Sequence, residues 1–207
     1  MNATASDEVE DRIPIGPWTV TLSRPGDVDA LLDEDAFARD ELMPYWAELW
    51  PSGIALARHV ATLDLRGRRV LELGCGLGLP SLAASLAGGE VTATDWSEDA
   101  VRLLRRNAAA NGLRLRAETL RWDAPAALPP ASFELVLAAD VVYEARNHNV
   151  LLDLLERVLA RSATALLADP GRRQLDAFLG LAGAGWELAA LPDSVLPRGG
   201  IHVLRRR

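Results

Sequence analysis

The sequence predicts an α/β domain built on one open, mostly parallel β-sheet. Short apolar runs alternate with helix-like patterns over most of the chain after residue 68, which is typical of a parallel sheet with helices on its faces. Several of these runs end in an aspartate or a glutamate. The last two runs, residues 186–191 and 201–204, are too close in sequence for a helical crossover, so they should pair as an antiparallel hairpin.

The region before the sheet is expected to form an arm and a cap. Residues 12–22 carry strand-like side chains broken by prolines and a glycine, which indicates a short edge strand or arm. Residues 27–40 suggest an acidic helix or turn, and Pro51 opens a further helix with Ser52 as its expected N-cap. The expected division is a flexible tail (1–11) and a single domain (12–207), made of an arm and cap (12–66) and a core (67–207).

Strand and helix signals alternate regularly within this core. Ser97 is the clearest N-cap, because Glu98 and Asp99 follow in the first turn, where the helix dipole favours acids. Asn111-Gly112 should end the same helix. The expected strands are residues 69–73, 90–95, 115–122, 133–139, 163–168, 186–191 and 201–204, and the other expected helices are residues 80–86, 147–161 and 174–181.

The turn after the first of these strands carries the strongest functional signal. The strand ends in Glu72 and runs into three alternating glycines, and Asp95 closes the next strand. This order of strand, glycine turn, helix and acid-terminated strand is how an open α/β sheet holds a nucleoside. Leu79 stands where a dinucleotide fingerprint needs a glycine or an alanine. The acid-x-Gly-x-Gly-x-Gly pattern resembles motif I of the class I S-adenosylmethionine-dependent methyltransferases.

The chemistry of S-adenosylmethionine suits these residues. Asp95 can accept both ribose hydroxyls, and Glu72 can face the ammonium of the amino-acid tail. Glycines allow close backbone approach, and the helix N-terminus can receive the tail carboxylate. Trp122-Asp123 would supply a ring and an acceptor for the adenine. The expected cofactor-binding residues are Trp50, Glu72, Gly74, Cys75, Gly76, Gly78, Asp95, Trp96, Trp122, Asp123 and Asp140.

Three further segments resemble a narrower group. Residues 44–53 (PYWAELWPSG), 140–143 (DVVY) and 169–172 (DPGR) are similar to the seven-β-strand lysine methyltransferases, methyltransferase family 16, and most closely to those acting on the electron transfer flavoprotein β-subunit. The resemblance implies a Rossmann-like, three-layer sandwich with strand order 3-2-1-4-5-7-6 and strand 7 antiparallel. It also implies methyl transfer to the ε-amine of a protein lysine.

Asp140 and Tyr143 are the expected catalytic residues of such a reaction. Asp140 can accept a hydrogen bond from the acceptor amine, and it suits an orienting role better than that of a base, because a carboxylate favours the protonated amine. Tyr143 can wall the acceptor channel. Trp46 and Trp50 could stabilise a sulfonium by cation–π contact, although a hydrophobic lid on the core explains them equally well.

Charge and composition narrow the choice of partner. The net charge is −7, and the first fifty residues hold twelve acids and three arginines, so no nucleic-acid partner is expected. That acidic region could attract a lysine-bearing surface, although a solvated acidic surface is the simpler explanation. None of the 22 Lys and Arg residues is lysine, so an enzyme that methylates lysine would have no internal ε-amine to modify.

The remaining composition excludes several classes of site. Cys75 is the single cysteine, which excludes a disulfide framework or a cysteine-built zinc site and favours a cytoplasmic location. The three histidines, His59, His148 and His202, lie far apart and show no metal-ligand spacing, so no metal is expected. There is no apolar leader or bilayer-spanning run, so no membrane partner is expected.

Three alternatives remain open at this point. A methyltransferase of the same fold could act on nitrogen or oxygen of a small molecule. A nicotinamide dehydrogenase is a second alternative, against which Leu79 and Glu72 argue. The third is a non-catalytic binding module of the same fold, against which the intact Asp140 and Tyr143 argue.

Overall fold

A seven-stranded sheet forms the centre of the structure, a computed structural model that describes residues 8–28, 31 and 44–207. The strands are β1 (Glu8–Ile15), β2 (Trp18–Pro25), β3 (Arg69–Leu73), β4 (Glu90–Asp95), β5 (Arg116–Thr119), β6 (Phe133–Ala139), β7 (Leu159–Asp169), β8 (Trp186–Leu191) and β9 (Gly200–Arg206). The α-helices are α1 (Pro51–Val60), α2 (Leu79–Leu86), α3 (Glu98–Ala110), α4 (His148–Val158) and α5 (Arg173–Ala182).

The strand order of the main sheet is β5-β4-β3-β6-β7-β9-β8. The first five of these strands pair in parallel. Strand β9 pairs antiparallel with β8, as the short connection between these two strands requires, and it also pairs antiparallel with β7. Counted from β3, this is the order 3-2-1-4-5-7-6 with strand 7 antiparallel, so the predicted topology is confirmed.

Helices cover both faces of the sheet. Side chains of α1, α2 and α3 share one apolar core with Val70 and Val91 of the sheet. Side chains of α4 and α5 share a second core with Leu71 and Leu73. Successive side chains of β3 therefore point to opposite faces of the sheet, and both faces are buried under helices. Glu72 points into the same layer as Val70 and α2.

Several element boundaries differ from the sequence prediction, most of all those of α4, β7 and β5. Helix α4 ends at Val158, three residues before the expected end, and β7 begins there instead of at residue 163. The apolar residues Val158 and Leu159 fit either periodicity, and Leu159 pairs with Phe133 of β6 ahead of a register shift. Strand β5 is also shorter than expected and ends at Thr119.

A separate β-hairpin replaces the single edge strand expected over residues 12–22. Strands β1 and β2 pair antiparallel along their whole length. Strand β1 begins at Glu8, so residues 8–11 belong to a strand and not to the expected tail. The expected acidic helix or turn at 27–40 lies largely outside the described residues, as do residues 1–7 of the tail.

Two asparagines, one in the last turn of α3 and one at its C-cap, hold this hairpin against the core. The side chain of Asn107 accepts from Ser23 N (2.9 Å) and donates to Ser23 O (3.1 Å). The side chain of Asn111 pairs with Thr21 in the same two-way manner. Each amide thus acts as one residue of a neighbouring strand and satisfies the free edge of β2.

Candidate active site

The glycine turn after β3 is shaped by packing as well as by backbone conformation. Its amide at Cys75 donates to Thr94 O (2.9 Å), which ties the turn to the end of β4. Gly78 has φ +80°, and a Cβ there would lie 2.1 Å from Leu104 Cδ1 of α3. A Cβ at Gly76 would lie 3.0 Å from the carbonyl oxygen of Trp46. The turn is therefore pressed between α3 and the segment before α1, and a side chain at either glycine would displace one of them.

Asp95 at the end of β4 is fixed by backbone amides. Its Oδ2 accepts from Gly76 N and its Oδ1 from Ser97 N, both at 2.9 Å. The carboxyl is 4% exposed, and burial raises its pKa despite these hydrogen bonds. Ser97 caps α3 as predicted, because its hydroxyl accepts from Ala100 N. Asp95 thus faces the turn in a rigid orientation and keeps free lone pairs on both oxygens.

Glu72 lies on the other side of the same turn. It is 1% exposed and accepts a hydrogen bond from the Ser81 hydroxyl of α2. Burial raises the pKa of Glu72 to about 8, and the nearby Asp95 carboxylate adds to the rise. The carboxyl therefore holds its proton at neutral pH, and a cation placed beside it would favour the ionised form.

The strand ends surround one cavity of about 220 Å³. Of the predicted cofactor-binding residues, Trp50, Glu72, Gly74, Cys75, Gly76, Gly78, Asp95, Trp96, Trp122 and Asp140 line this cavity. The predicted catalytic residue Tyr143 lines it as well. The structure therefore brings residues from five separate parts of the sequence to one place.

Asp123 is an exception and does not line the cavity. It is exposed and forms an ion pair with Arg121 (2.8 Å), which lowers its pKa. Strand β5 ends at Thr119, so Asp123 lies in the loop beyond the sheet edge, and its contact with the cofactor stays a prediction. Trp122, the residue before it, does line the cavity and also packs against the core between the sheet and α4.

Asp140 follows β6 with a left-handed backbone, φ +57°. Its amide donates to Ala168 O (2.9 Å), which ties the turn to β7. Its Oδ1 accepts from Arg172 Nε (2.9 Å), whereas its Oδ2 is buried without a hydrogen-bond partner in the described residues. Burial raises the pKa of Asp140, and the nearby Ser52 hydroxyl and Arg172 act against the rise.

Ser52 plays a different part from the one predicted. Trp50 is the N-cap position of α1 and Pro51 is its first residue, so Ser52 lies inside the helix. Its side chain is fully buried and close enough to Asp140 to lower the pKa of that carboxyl. Its hydroxyl, like Asp140 Oδ2, lacks a hydrogen-bond partner of ordinary geometry among the described residues. Both atoms are thus buried polar groups that a ligand or water would satisfy.

Aromatic side chains form the mouth of the cavity. The Tyr45 ring meets Trp50 and Tyr143 edge to face, with centroid distances of 6.2 and 5.8 Å. The indole of Trp50 donates to Tyr45 O (2.8 Å). Tyr45, Tyr143 and Trp96 remain 46%, 41% and 48% exposed, which is high for large rings and leaves an open aromatic surface. Burial and Glu144 raise the pKa of Tyr143, so its hydroxyl stays protonated at neutral pH.

Arg172 is a cavity residue to which the sequence reasoning gave no role. Its guanidinium carbon lies 5.3 Å from the centroid of the Trp50 ring, while its Nε binds Asp140. Asp169 Oδ1 accepts from the amides of Gly171 (2.8 Å) and Arg172 (2.7 Å). The motif at residues 169–172 was the only sign in the sequence that this loop matters. Its spacing does not show that the Arg172 side chain would form a hydrogen bond with Asp140.

None of the three histidines, His59, His148 and His202, lines the cavity. His148 is buried, contacts Val142 O through Nε2 (3.0 Å) and packs edge to face on Phe178. Burial lowers the pKa of His59 and of His202. Among residues 8–28, 31 and 44–207, no group of three metal-ligating side chains is found.

Comparison with known proteins gives the family. The model of the lysine methyltransferase family matches residues 39–180. The chain belongs to this family. It is 33% identical over 133 residues to EEF1A lysine methyltransferase 3 of Mus musculus, covering 62% of this chain and 57% of the relative.

A second relative is matched over a similar part of its length. The chain is 37% identical over 142 residues to electron transfer flavoprotein beta subunit lysine methyltransferase of Xenopus laevis, which covers 63% of this chain and 54% of the relative. The chain thus matches a little over half the length of these curated family members.

Solved structures confirm the fold. A 16S rRNA methyltransferase of T. Thermophilus, solved with AdoMet and guanosine, superposes with a TM-score of 0.69 at 18% identity, covering 98% of this chain and 51% of that one. A TehB-like SAM-dependent methyltransferase of Corynebacterium glutamicum gives 0.62 at 18% identity, covering 86% and 100%. The family member therefore has the Rossmann-like class I methyltransferase fold that the sequence predicted.

Proposed function

We propose that this lysine methyltransferase family member transfers a methyl group from S-adenosylmethionine to the ε-amine of a lysine in a protein. One observation supports this most: a buried carboxylate, Asp140, lines the same cavity as a group of aromatic rings and the acidic glycine turn. The aromatic rings suit an alkylamine, and the acidic glycine turn suits a cationic nucleoside. Both relatives described above carry names of protein lysine methyltransferases.

The residues of the cavity fit S-adenosylmethionine. Asp95 keeps free lone pairs for the ribose diol, and Glu72 is a buried carboxyl that an ammonium would ionise. Gly74 and Gly76 leave the backbone of the turn without side chains on the cavity side. Once bound, this group supplies a methyl on a positively charged sulfur, which is transferred to a nucleophile.

The aromatic residues of the cavity fit the acceptor. The rings of Tyr45, Trp50 and Tyr143 meet edge to face around the opening, and such aromatic walls stabilise amines and methylated ammonium groups by cation–π contact. The stem of a lysine side chain is long and apolar, so it can pass between rings while its head reaches Asp140. The exposed surfaces of Tyr45, Tyr143 and Trp96 would face the protein that carries the lysine.

The side chains of this chain position the amine and do not need to act as strong bases. A lysine amine with a free pKa of about 10.4 must lose a proton before it can attack. Asp140 accepts a hydrogen bond from the amine and directs its lone pair, while the proton passes to water. Positioning of this kind supplies a large share of the rate in displacement reactions.

The acceptor chemistry can be tested directly. The protein is incubated with methyl-labelled cofactor and a cell lysate, and labelled protein is hydrolysed to amino acids. We expect label in methyllysine, and an Asp140→Asn control should abolish it. Label found only in small solutes would instead assign the small-molecule alternative.

The cellular location stays a prediction. The part of the chain that the structure describes contains no helix of sufficient length and apolarity to cross a membrane. The proposal of a cytoplasmic enzyme rests on the use of a single, buried and unpaired cysteine, Cys75. Fractionation of cells with an antibody to the protein would test it.

A further inference from the structure

A cationic side chain of the protein itself already lies at the acceptor end of the cavity. Arg172 Nε donates to Asp140 Oδ1 at 2.9 Å, and the guanidinium carbon stands 5.3 Å from the centroid of the Trp50 ring. A carboxylate on one side and an indole face on the other are the two contacts that an alkylammonium would seek. The guanidinium thus makes the contacts proposed above for the substrate.

The backbone of Arg172 is held firmly in this place. Asp169 Oδ1 accepts from the amides of both Gly171 and Arg172. Gly171 has φ +89°, and a Cβ there would lie 2.5 Å from Arg198 O, so the turn is packed closely against the loop before β9. Any displacement of the guanidinium therefore has to come from rotation of the side chain and not from movement of the loop.

The side chain of Arg172 has room for such a rotation, whereas the buried side chain of Asp140 has none. Arg172 is 35% exposed, but the Asp140 side chain is 6% exposed. Asp140 Oδ2 has no exposed surface and no hydrogen-bond partner among the described residues. An incoming amine can make full use of this carboxylate only after the guanidinium moves away from it.

We infer that Arg172 is an internal substitute for the substrate lysine, which occupies the acceptor position at rest and withdraws toward solvent when the substrate enters. The inference rests on the proposed lysine methyltransferase function. It assigns to Arg172 a role in substrate affinity: each acceptor must displace a permanently charged competitor from Asp140 and Trp50. A side chain that cannot match both contacts would leave the guanidinium in place, so the competition also favours lysine over shorter amines.

The absence of lysine from the sequence permits a direct test. In an Arg172→Lys variant, the new side chain would place its amine near the present position of the guanidinium carbon, beside Asp140. It would be the single ε-amine in the 207 residues. If that position is the acceptor position, the amine forms a bond to the methyl carbon, the carbon–sulfur bond breaks with its electron pair remaining on sulfur, and the ammonium proton passes to water.

The matched control is Arg173→Lys. Arg173 is the next residue, is exposed, and does not line the cavity. Both variants are incubated with S-adenosylmethionine alone and examined by intact mass and peptide mapping, with the unmodified sequence as background for the N-terminal amine. We expect one to three methyl groups at position 172 in Arg172→Lys and none at position 173 in Arg173→Lys. An Arg172→Lys protein that binds the cofactor but gains no methyl group, or equal gain in both variants, would overturn the inference.

Steady-state kinetics provide a second test that does not depend on self-modification. In Arg172→Ala the competitor is removed, so KM for a protein acceptor should fall by roughly two- to fivefold, the range expected for loss of one partly exposed ion pair. Guanidinium ion added to this variant should inhibit competitively and more strongly than it inhibits the unmodified protein. An unchanged or higher KM with a lower kcat would instead show that Arg172 supports the site and does not block it.

Failure of this inference can be told apart from failure of the proposed function. If the unmodified protein labels lysine in other proteins but Arg172→Lys does not label itself, only the role of Arg172 is wrong. If the unmodified protein labels no protein while Arg172→Lys labels itself, the role of Arg172 stands and the protein acceptor is wrong. Cofactor titration of every variant by calorimetry confirms that each one is folded.

Discussion

Glu72 and Asp140 are carboxyls whose acidity depends on where the fold places them. Both stand at the carboxyl ends of neighbouring parallel strands, β3 and β6, and burial raises the pKa of each. Sequence reasoning found both residues because an acid that closes an apolar run is visible without a structure. It could not find Arg172 or Ser52 as partners of Asp140, because those contacts depend on loops and helices that meet only in the folded protein.

The raised pKa of Glu72 makes stability depend on pH. An unfolded glutamate titrates near 4.5, whereas the folded carboxyl titrates near 8, so the folded state binds more protons between these values. The contribution of Glu72 to the free energy of unfolding should therefore be largest below about pH 4.5 and fall by about 4 kcal/mol up to about pH 8. Urea unfolding at several pH values gives the free energy of unfolding of the unmodified protein and of Glu72→Gln. The difference between the two proteins should change with pH as stated. A difference that is the same at every pH would contradict this prediction.

Asp140 should matter for transfer and much less for cofactor affinity. The carboxylate reaches the acceptor end of the cavity and is proposed to orient the amine. We expect Asp140→Asn to lower single-turnover methyl transfer by about 10²-fold or more, while the cofactor Kd changes by less than about threefold. Rapid-quench transfer and calorimetric titration measure the two quantities. If the transfer rate and the cofactor affinity fell by the same factor, Asp140 would act in cofactor binding alone.

At the scale of secondary structure, the glycine turn connects the sheet to α2 and α3. Three of its residues, Gly74, Gly76 and Gly78, have positive φ, so the chain reverses tightly between β3 and α2. Strands β3 and β4 were predicted to the residue because each begins at a charged residue and closes with an apolar residue or an acid. By contrast, the ends of β5 and α4 depend on sheet pairing, and β5 ends earlier than predicted, which leaves Asp123 outside the lining of the cavity.

The turn offers a stability test with a matched control. Gly78→Ala adds a Cβ that would lie 2.1 Å from Leu104 Cδ1 at φ +80°, so it should destabilise the fold by about 3 kcal/mol. Gly112→Ala has a similar φ of +68° with no atom within 4 Å of the new Cβ, so strain alone should cost about 1 kcal/mol. Thermal and urea unfolding of both variants measure the difference, and equal losses would show that packing on α3 is not what requires Gly78.

At the scale of the whole molecule, the cavity gathers acids from separate strands around a proposed cation. Glu72, Asp95 and Asp140 all have raised pKa values because they are buried. A bound cation favours their ionised forms, so binding of S-adenosylmethionine should release protons, and its affinity should rise with pH toward about pH 8. Calorimetry in two buffers with different heats of ionisation counts the protons. If Glu72→Gln released the same number of protons on binding, Glu72 would not be one of the groups that ionise.

The order of the seven strands was implied by the family resemblance, whereas the connection lengths alone predicted the antiparallel pairing of the last two strands. The N-terminal hairpin could be read only in part, since the asparagines that hold it to α3 are ordinary helix residues until Thr21 and Ser23 lie beside them. The mouth of the cavity was least predictable. Tyr45, Trp50 and Tyr143 come from two distant segments, and their edge-to-face contacts arise from tertiary packing.

The central claim is that this cavity binds S-adenosylmethionine, and calorimetric titration tests it most directly. We expect about one molecule to bind per chain, with weaker binding in Asp95→Ala, since Asp95 is held facing the turn by two backbone amides. The demethylated product should bind in the same cavity and compete. If neither compound binds while NADH does, the account is contradicted.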